Sequence, residues 1–389
     1  MSFDRSERLK RLPPYLFAET DRKKRELIKQ GKDLVNLGVG DPDLPAFKVV
    51  RDALKAAIDD PGIHSYPPDN GLPEYRQAIV RWYERRWGAK LDPEREVRPL
   101  IGSKEGIGHL PLAVLNPGDV SLIPDPGYPP YRSGTEFAGG VPHFMPLRRE
   151  NGFLPDLEAI DKQVLAKAKL LYVNYPNNPT GAIAPVDFYP RVIDFARRHK
   201  LLVVNDAAYS EIWYDSRPPS FLQFEGAKEV GVEFHSLTKG FNMAGWRVGW
   251  IAGNADVVSA LGDLKTNLDS GVFMAVQRAA VAALDKGDED QAELRAVYRR
   301  RRDLFVEGMR KAGWPVEPMK ATFYVWTPVP KGTTSIDFCR KVLEQALVVT
   351  TPGVGFGPSG EGYFRVSLTS SEERIQEAVR RLERLSYQA

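Results

Sequence analysis

The sequence predicts an α/β fold in which a doubly wound, mostly parallel sheet is joined to a smaller α+β domain. Two observations carry that expectation. Between residues 97 and 252, short apolar runs alternate with helix-length segments, and the runs are unbroken, as in Leu201-Leu202-Val203-Val204. Unbroken runs suit strands covered on both faces, the situation in a parallel sheet flanked by helices. After Gly271 the character changes to long polar helices and then to short strands mixed with helices, an α+β layout.

The elements can be justified in order. The first 45 residues are irregular and Pro-rich, apart from a charged helix over 19–30. Helical spacing follows over 49–59 and 72–87, then a strand over 97–101, a helix from about 104 and a strand over 120–123. The alternation continues with a strand over 170–174, a helix over 188–198 and a strand over 201–205, and two further strands fall over 232–236 and 247–252. The longest helix spans 289–312, its many arginines forming a solvated face. Strands over 323–326, 347–350 and 362–366, with helices over 335–344 and 372–385, complete the second domain. The expected division is a large domain over 46–285 and a small one made of 1–45 and 286–389.

Composition narrows the class of function. Of 389 residues, 42% are hydrophobic and 27% charged, which suits a globular chain and not a disordered one. Lys and Arg number 54 against 51 Asp and Glu, a formal charge of +3 that does not suggest nucleic acid or an anionic membrane as the main partner. The single cysteine, Cys339, excludes a disulfide framework and any multi-cysteine metal site. No apolar stretch approaches the roughly 20 residues of a spanning helix. The N-terminus, Met1-Ser2-Phe3-Asp4-Arg5, has no apolar leader region, so the expectation is a soluble cytoplasmic protein.

Four segments carry chemistry, each where an apolar strand ends, the place at which open α/β sheets collect ligands. In Ser236-Leu237-Thr238-Lys239, with Arg247 eight residues on, desolvation and a nearby cation would lower the lysine pKa and favour a neutral, carbonyl-attacking amine. Lys239 reads equally as a surface lysine in a Gly-rich loop. Asp206, in Asn205-Asp206-Ala207-Ala208-Tyr209, is either a cap or the partner of a buried cation. Asn174-Tyr175-Pro176-Asn177-Asn178-Pro179-Thr180-Gly181 has the composition of a plain turn. Gly102-Ser103-Lys104-Glu105-Gly106 opens a helix, where free N–H groups and the helix dipole make an anion site.

In their order, these segments resemble those of the class I/II aminotransferases, pyridoxal-phosphate enzymes of fold type I, over roughly residues 15–385. The resemblance implies a role for each residue. Lys239 looks like the lysine that holds pyridoxal 5'-phosphate covalently and later moves the substrate proton. Asp206 resembles the acid paired with the pyridine nitrogen. Tyr209 and Asn178 resemble the partners of the ring hydroxyl, and Tyr128 the aromatic stacked on the ring face. The phosphate cradle would be the N–H groups of Ser103 and Lys104, with Ser236 and Arg247. Tyr66 is similar to the tyrosine that reaches the phosphate from a second subunit, implying a homodimer with shared active sites. Arg365, in Gly362-Tyr363-Phe364-Arg365-Val366-Ser367, looks like the fork that holds the substrate α-carboxylate.

Within that family, the stretches 100–107, 124–129 and 267–273 most resemble the LL-diaminopimelate aminotransferase group. The implied reaction moves an amino group from LL-diaminopimelate to a 2-oxo acid such as 2-oxoglutarate, in two half-reactions. Aspartate, alanine or aromatic amino acids are the alternative donors, and a β-lyase on the same fold is a rival chemistry, because fold and cofactor do not by themselves set which bond breaks. Tyr15, Gly40, Lys104, Asp69 and Asn267 are the positions expected to meet the distal groups, with Tyr15, Asp69 and Asn267 donated by the partner chain.

Overall fold

The apolar runs of the middle of the chain become strands of one sheet in the computed structural model, which describes residues 3–12 and 18–385. A helix, Ala18–Lys29, and a short strand, β1 (Val35–Asn36), precede it. The sheet itself is built from β2 (Val97–Leu100), β3 (Val120–Asp125), β4 (Val141–Pro146), β5 (Ala168–Asn174), β6 (Leu202–Asp206), β7 (Gly231–Ser236) and β8 (Gly249–Gly253). Its spatial order is β2-β8-β7-β6-β5-β3-β4. Pairing is parallel from β4 through β7, whereas β8 runs antiparallel to both β7 and β2. Every residue of β3 and β8 is buried, which explains the unbroken apolar runs.

Helices cover both faces. One core unites the helices Pro73–Trp87, Phe188–His199 and Met274–Lys286 with one face of the sheet, and a second packs Ser103–Val114 and Ala255–Leu268 on the other. The C-terminal part adds β9 (Tyr324–Pro328), β10 (Val348–Val349), β11 (Thr351–Pro352) and β12 (Tyr363–Ser367). Strands β11, β12 and β9 form an antiparallel sheet, while β10 pairs in parallel with β1. Among the described residues, no helix is long and apolar enough to cross a membrane.

Three local differences from the sequence reading have physical causes. A helix over Pro130–Phe137 and the strand β4 lie in a stretch punctuated by Pro129, Pro130, Gly134, Gly139 and Gly140, which read as turn signals, and β4 is an edge strand with one buried residue. The strand expected from Arg247 starts at Gly249, because Arg247 itself adopts a left-handed φ of 54°. The strand expected over 347–350 is only β10, at Val348–Val349, and a separate strand, β11, follows it and pairs with a different partner.

Candidate active site

Strands β5, β6 and β7 end along one edge of the sheet, and the side chains that follow them line a cavity of about 720 Å³. At the end of β5, the Asn174 side chain donates to the Asp206 carbonyl at 2.7 Å and accepts the Asn178 N–H at 2.9 Å. The Asn-Pro-Gly turn is thereby tied to the next strand, and Asn178 is buried in the cavity wall.

Asp206, at the end of β6, is buried. Its Oδ2 accepts the Tyr131 hydroxyl at 2.7 Å and its Oδ1 the Ala208 N–H at 3.2 Å. Burial pushes the Asp206 carboxyl above the usual range, opposed by those two hydrogen bonds and by the nearby His235 ring. Two oxygens at the floor of the cavity, with only these two donors, leave capacity for a cationic partner. Asp206 also caps the next turn, since its Oδ1 accepts the Ala208 N–H, so the cap reading holds beside the site reading.

After β7, the Ser236 hydroxyl caps a single turn by accepting the Thr238 N–H. That turn delivers Lys239, half-buried, whose Nζ donates to the Gly40 carbonyl at 2.6 Å. Loss of water around Nζ holds the ammonium pKa below the ordinary lysine value, helped by the charges of Arg365 and Arg247. Lys239 is therefore not a surface lysine.

A cradle stands beside it. The helix Ser103–Val114 begins at the cavity wall, where its first N–H groups have no intrahelical acceptor. Gly102, at φ 76°, lets Arg247 close this corner: a side chain there would lie 2.5 Å from Arg247 Nη2. Lys104, Ser236 and Tyr128 line the same part of the cavity, with Tyr128 half-buried and edge-on to Tyr131 at 5.8 Å.

The opposite wall comes from the C-terminal part and the N-terminal loop. Arg365, on β12, is buried between the rings of Tyr324 and Phe356, 4.0 and 4.6 Å from their centroids. Its Nη1 donates to Asn178 Oδ1 at 2.8 Å and its Nη2 to the Gly38 carbonyl at 2.9 Å, while Nε is buried without a hydrogen-bond partner. Tyr209, following β6, shares a hydrogen bond of 2.9 Å with Tyr324.

Most of the residues singled out in the sequence thus meet around one cavity, including Gly40. Tyr66, Asp69 and Asn267 do not line it. Tyr66 is 86% exposed, and the exposed Asn267 bonds only its own helix turn. Asp69 is also exposed, and its carbonyl accepts from Arg98. The segments carrying them adjoin, with Pro67 3.5 Å from where a Gly271 side chain would start. Tyr15 lies outside the described residues. Among the lining or supporting residues that escaped the sequence reading are Asp21, Lys24, Tyr131, Tyr324 and Phe356. The only local signal was the spacing of Tyr131 three residues after Tyr128, which is informative once that stretch is known to be helical.

The chain matches the family model for aminotransferase class I and II over residues 32–382. It is 55% identical over 379 residues to an LL-diaminopimelate aminotransferase of Moorella thermoacetica, covering 97% of each chain. A protein of the same name from Halothermothrix orenii is 52% identical over 380 residues, covering 97% of this chain and 98% of that one. Among solved structures, substrate-bound BacF from Bacillus subtilis superposes with a TM-score of 0.95 at 41% identity, covering 100% of this chain and 99% of that one.

Proposed function

This chain belongs to the class I and II aminotransferases, and from that premise we propose that it is a pyridoxal-phosphate enzyme moving an amino group from LL-diaminopimelate to 2-oxoglutarate. Aminotransferases act on small amino acids and 2-oxo acids, and the cavity size suits such molecules. The observation that carries the reading is the placement of Lys239 between two anion-binding corners, one at Ser103 and Arg247 and one at Arg365.

The residues fit the cofactor on structural grounds. The corner at Gly102 admits no side chain, presents a helix N-terminus and has Arg247 and Ser236 beside it, as a phosphate dianion requires. Asp206 would hold the pyridine nitrogen, Tyr209 and Asn178 the ring hydroxyl, and Tyr128 a ring face, with Lys239 holding the aldehyde carbon. Bound there, the group supplies an electrophilic carbon for the amino group and a ring that spreads negative charge from the substrate α-carbon.

The chain's own residues divide the remaining work. Arg365 binds the α-carboxylate, and its stacking between Tyr324 and Phe356 fixes the plane of the guanidinium. Lys239 Nζ, whose pKa burial lowers, would take the proton from the substrate α-carbon and return it later in the exchange. Asp206, its carboxyl pKa raised by burial and restrained by its two hydrogen bonds, would meet the ring nitrogen with its remaining lone pairs. The Gly38–Gly40 loop, tied to both Arg365 and Lys239, closes the cavity against water.

The distal ammonium and carboxylate of diaminopimelate need partners beyond Arg365. Lys104, one of the residues expected to meet them, lines the cavity. In a homodimer, exposed Tyr66 would reach the partner's phosphate cradle, and Asp69, Asn267 and Tyr15 the partner's substrate. The donor identity is supported by the names carried by relatives at 50–55% identity over nearly the whole chain.

The test is a half-reaction without any 2-oxo acid. LL-diaminopimelate, aspartate, alanine and phenylalanine are added separately to the purified yellow protein, and the rate of bleaching is compared. Fastest bleaching by diaminopimelate supports the reading. Bleaching by the others but not by diaminopimelate keeps the aminotransferase and removes this donor.

A further inference from the structure

We infer that Lys24, on the helix Ala18–Lys29, reads the distal carboxylate of the substrate, with Asp21 one turn earlier facing the distal ammonium. This deepens the function proposed above and rests on it for the seat of the α-carboxylate at Arg365.

The first observation is where this helix lies. Although remote in sequence from the strand ends, it contributes both Asp21 and Lys24 to the cavity lining. Spaced three residues apart, the two side chains share one helix face. Three residues further on, Leu27 is buried against Leu343 and Val349. Val349, Thr350 and Thr351 also line the cavity, and Thr351 Oγ1 donates to the same Gly38 carbonyl that accepts Arg365 Nη2. Leu27 thus seats the helix on the wall that holds Arg365, away from the Ser103 corner.

The second observation is what the other cations already do. Lys239 donates to Gly40, Arg365 to Asn178 and Gly38, and Arg247 to the Ala244 carbonyl. Lys24 is half-buried and, among the described residues, has no hydrogen-bond or ion-pair partner, although its neighbour Lys23 pairs with Glu26. An ammonium partly removed from water, with no ion pair of its own among the described residues, gains most from a carboxylate brought by a ligand. Lys104 is also unpaired, but it is exposed and adjacent to Ser103, on the cofactor side, where solvent weakens any charge pairing.

The chemistry matches both half-reactions. An amino donor with two amino-acid ends and a five-carbon 2-oxo diacid have in common a carboxylate at the far end from the reacting carbon. Lys24 can serve both in turn. Asp21 answers only to the donor, which alone carries a second ammonium.

The experiment uses two unreactive probes of the holoenzyme, glutarate and butyrate, which differ by the distal carboxylate. Dissociation constants are read by spectral titration or calorimetry. The native protein should prefer glutarate, and Lys24→Ala should reduce that preference about tenfold, with Lys24→Arg retaining most of it. Lys24→Glu should reverse the preference. Thermal unfolding of each variant separates loss of the site from loss of the fold. An unchanged glutarate-to-butyrate ratio in a folded Lys24→Ala protein overturns the inference. So does a preference that disappears in Lys104→Ala and survives in Lys24→Ala, which assigns the carboxylate to Lys104. Asp21→Asn should lower kcat/KM for LL-diaminopimelate relative to glutamate. If the native protein leaves diaminopimelate unreacted, the proposed donor falls, while the glutarate titration still decides the role of Lys24.

Discussion

The Tyr131 hydroxyl donates to Asp206 Oδ2 at 2.7 Å, and both groups are buried. Burial alone raises the Asp206 pKa, and this hydrogen bond is the first of the contacts that restrain the rise. Tyr131 is itself stacked on Tyr172 at 4.9 Å, so the donor is fixed in place. Replacing Tyr131 with Phe keeps the ring and removes the donor. The Asp206 pKa then rises further, and the acid limb of the kcat/KM profile moves to higher pH. A purely structural role would lower activity evenly across pH, so an unmoved profile in a folded variant contradicts this account of Tyr131.

Lys239→Ala should lose all turnover together with the visible absorbance of a covalently held cofactor. The native bond from Nζ to the Gly40 carbonyl also disappears, so limited proteolysis near residues 38–41 is expected to quicken. Measurable transamination by this variant would remove Lys239 from the chemistry.

Arg365→Lys replaces a planar fork by a single ammonium, which cannot bond Asn178, Gly38 and a carboxylate together. KM should rise about tenfold to a hundredfold for every amino acid, since the α-carboxylate is common to all of them. Steady-state kinetics with several donors decides this, and unchanged constants would place the α-carboxylate elsewhere.

Gly40→Ala puts a methyl group 1.8 Å from the Tyr324 hydroxyl, the group that also bonds Tyr209. Relief requires movement of the loop or of Tyr324, at a cost of about 1–3 kcal/mol typical of overpacking. A lower unfolding midpoint and a raised KM should appear together. Native-like values for both would mean that the loop yields without strain.

Shared sites predict complementation between inactive chains. A refolded mixture of Lys239→Ala and Tyr66→Ala proteins contains heterodimers in which one of two sites carries neither change. Random pairing should restore about a quarter of native activity. A mixture no more active than the average of its parents would show that Tyr66 serves no partner.

The separation between what the residues announce and what folding decides is sharp here. Strand identity was legible where burial leaves an apolar run, as in Leu201-Leu202-Val203-Val204 leading through β6 to Asp206; β7 carries buried Glu233 and His235 within it, and its end marked Ser236-Leu237-Thr238-Lys239. The order of those segments was enough to identify the fold class and family, because each is a local pattern. The helix Pro130–Phe137 was not legible, since its prolines and glycines read as turn signals over so short a segment, and Tyr131 was missed with it. The contacts that complete the cavity join residues far apart in the chain: Tyr131 and Asp206 by 75 positions, Tyr209 and Tyr324 by 115, Lys239 and Gly40 by 199, Arg365 and Gly38 by 327. No local propensity encodes such pairs. They follow from the strand order β2-β8-β7-β6-β5-β3-β4 and from the pairing of β1 with β10, which carries the N-terminal loop across the ends of the strands. The sequence by itself determined which side chains could do the chemistry; the tertiary structure decided which neighbours hold them, because packing, not periodicity, brings a hydroxyl to within 2.7 Å of a buried carboxylate.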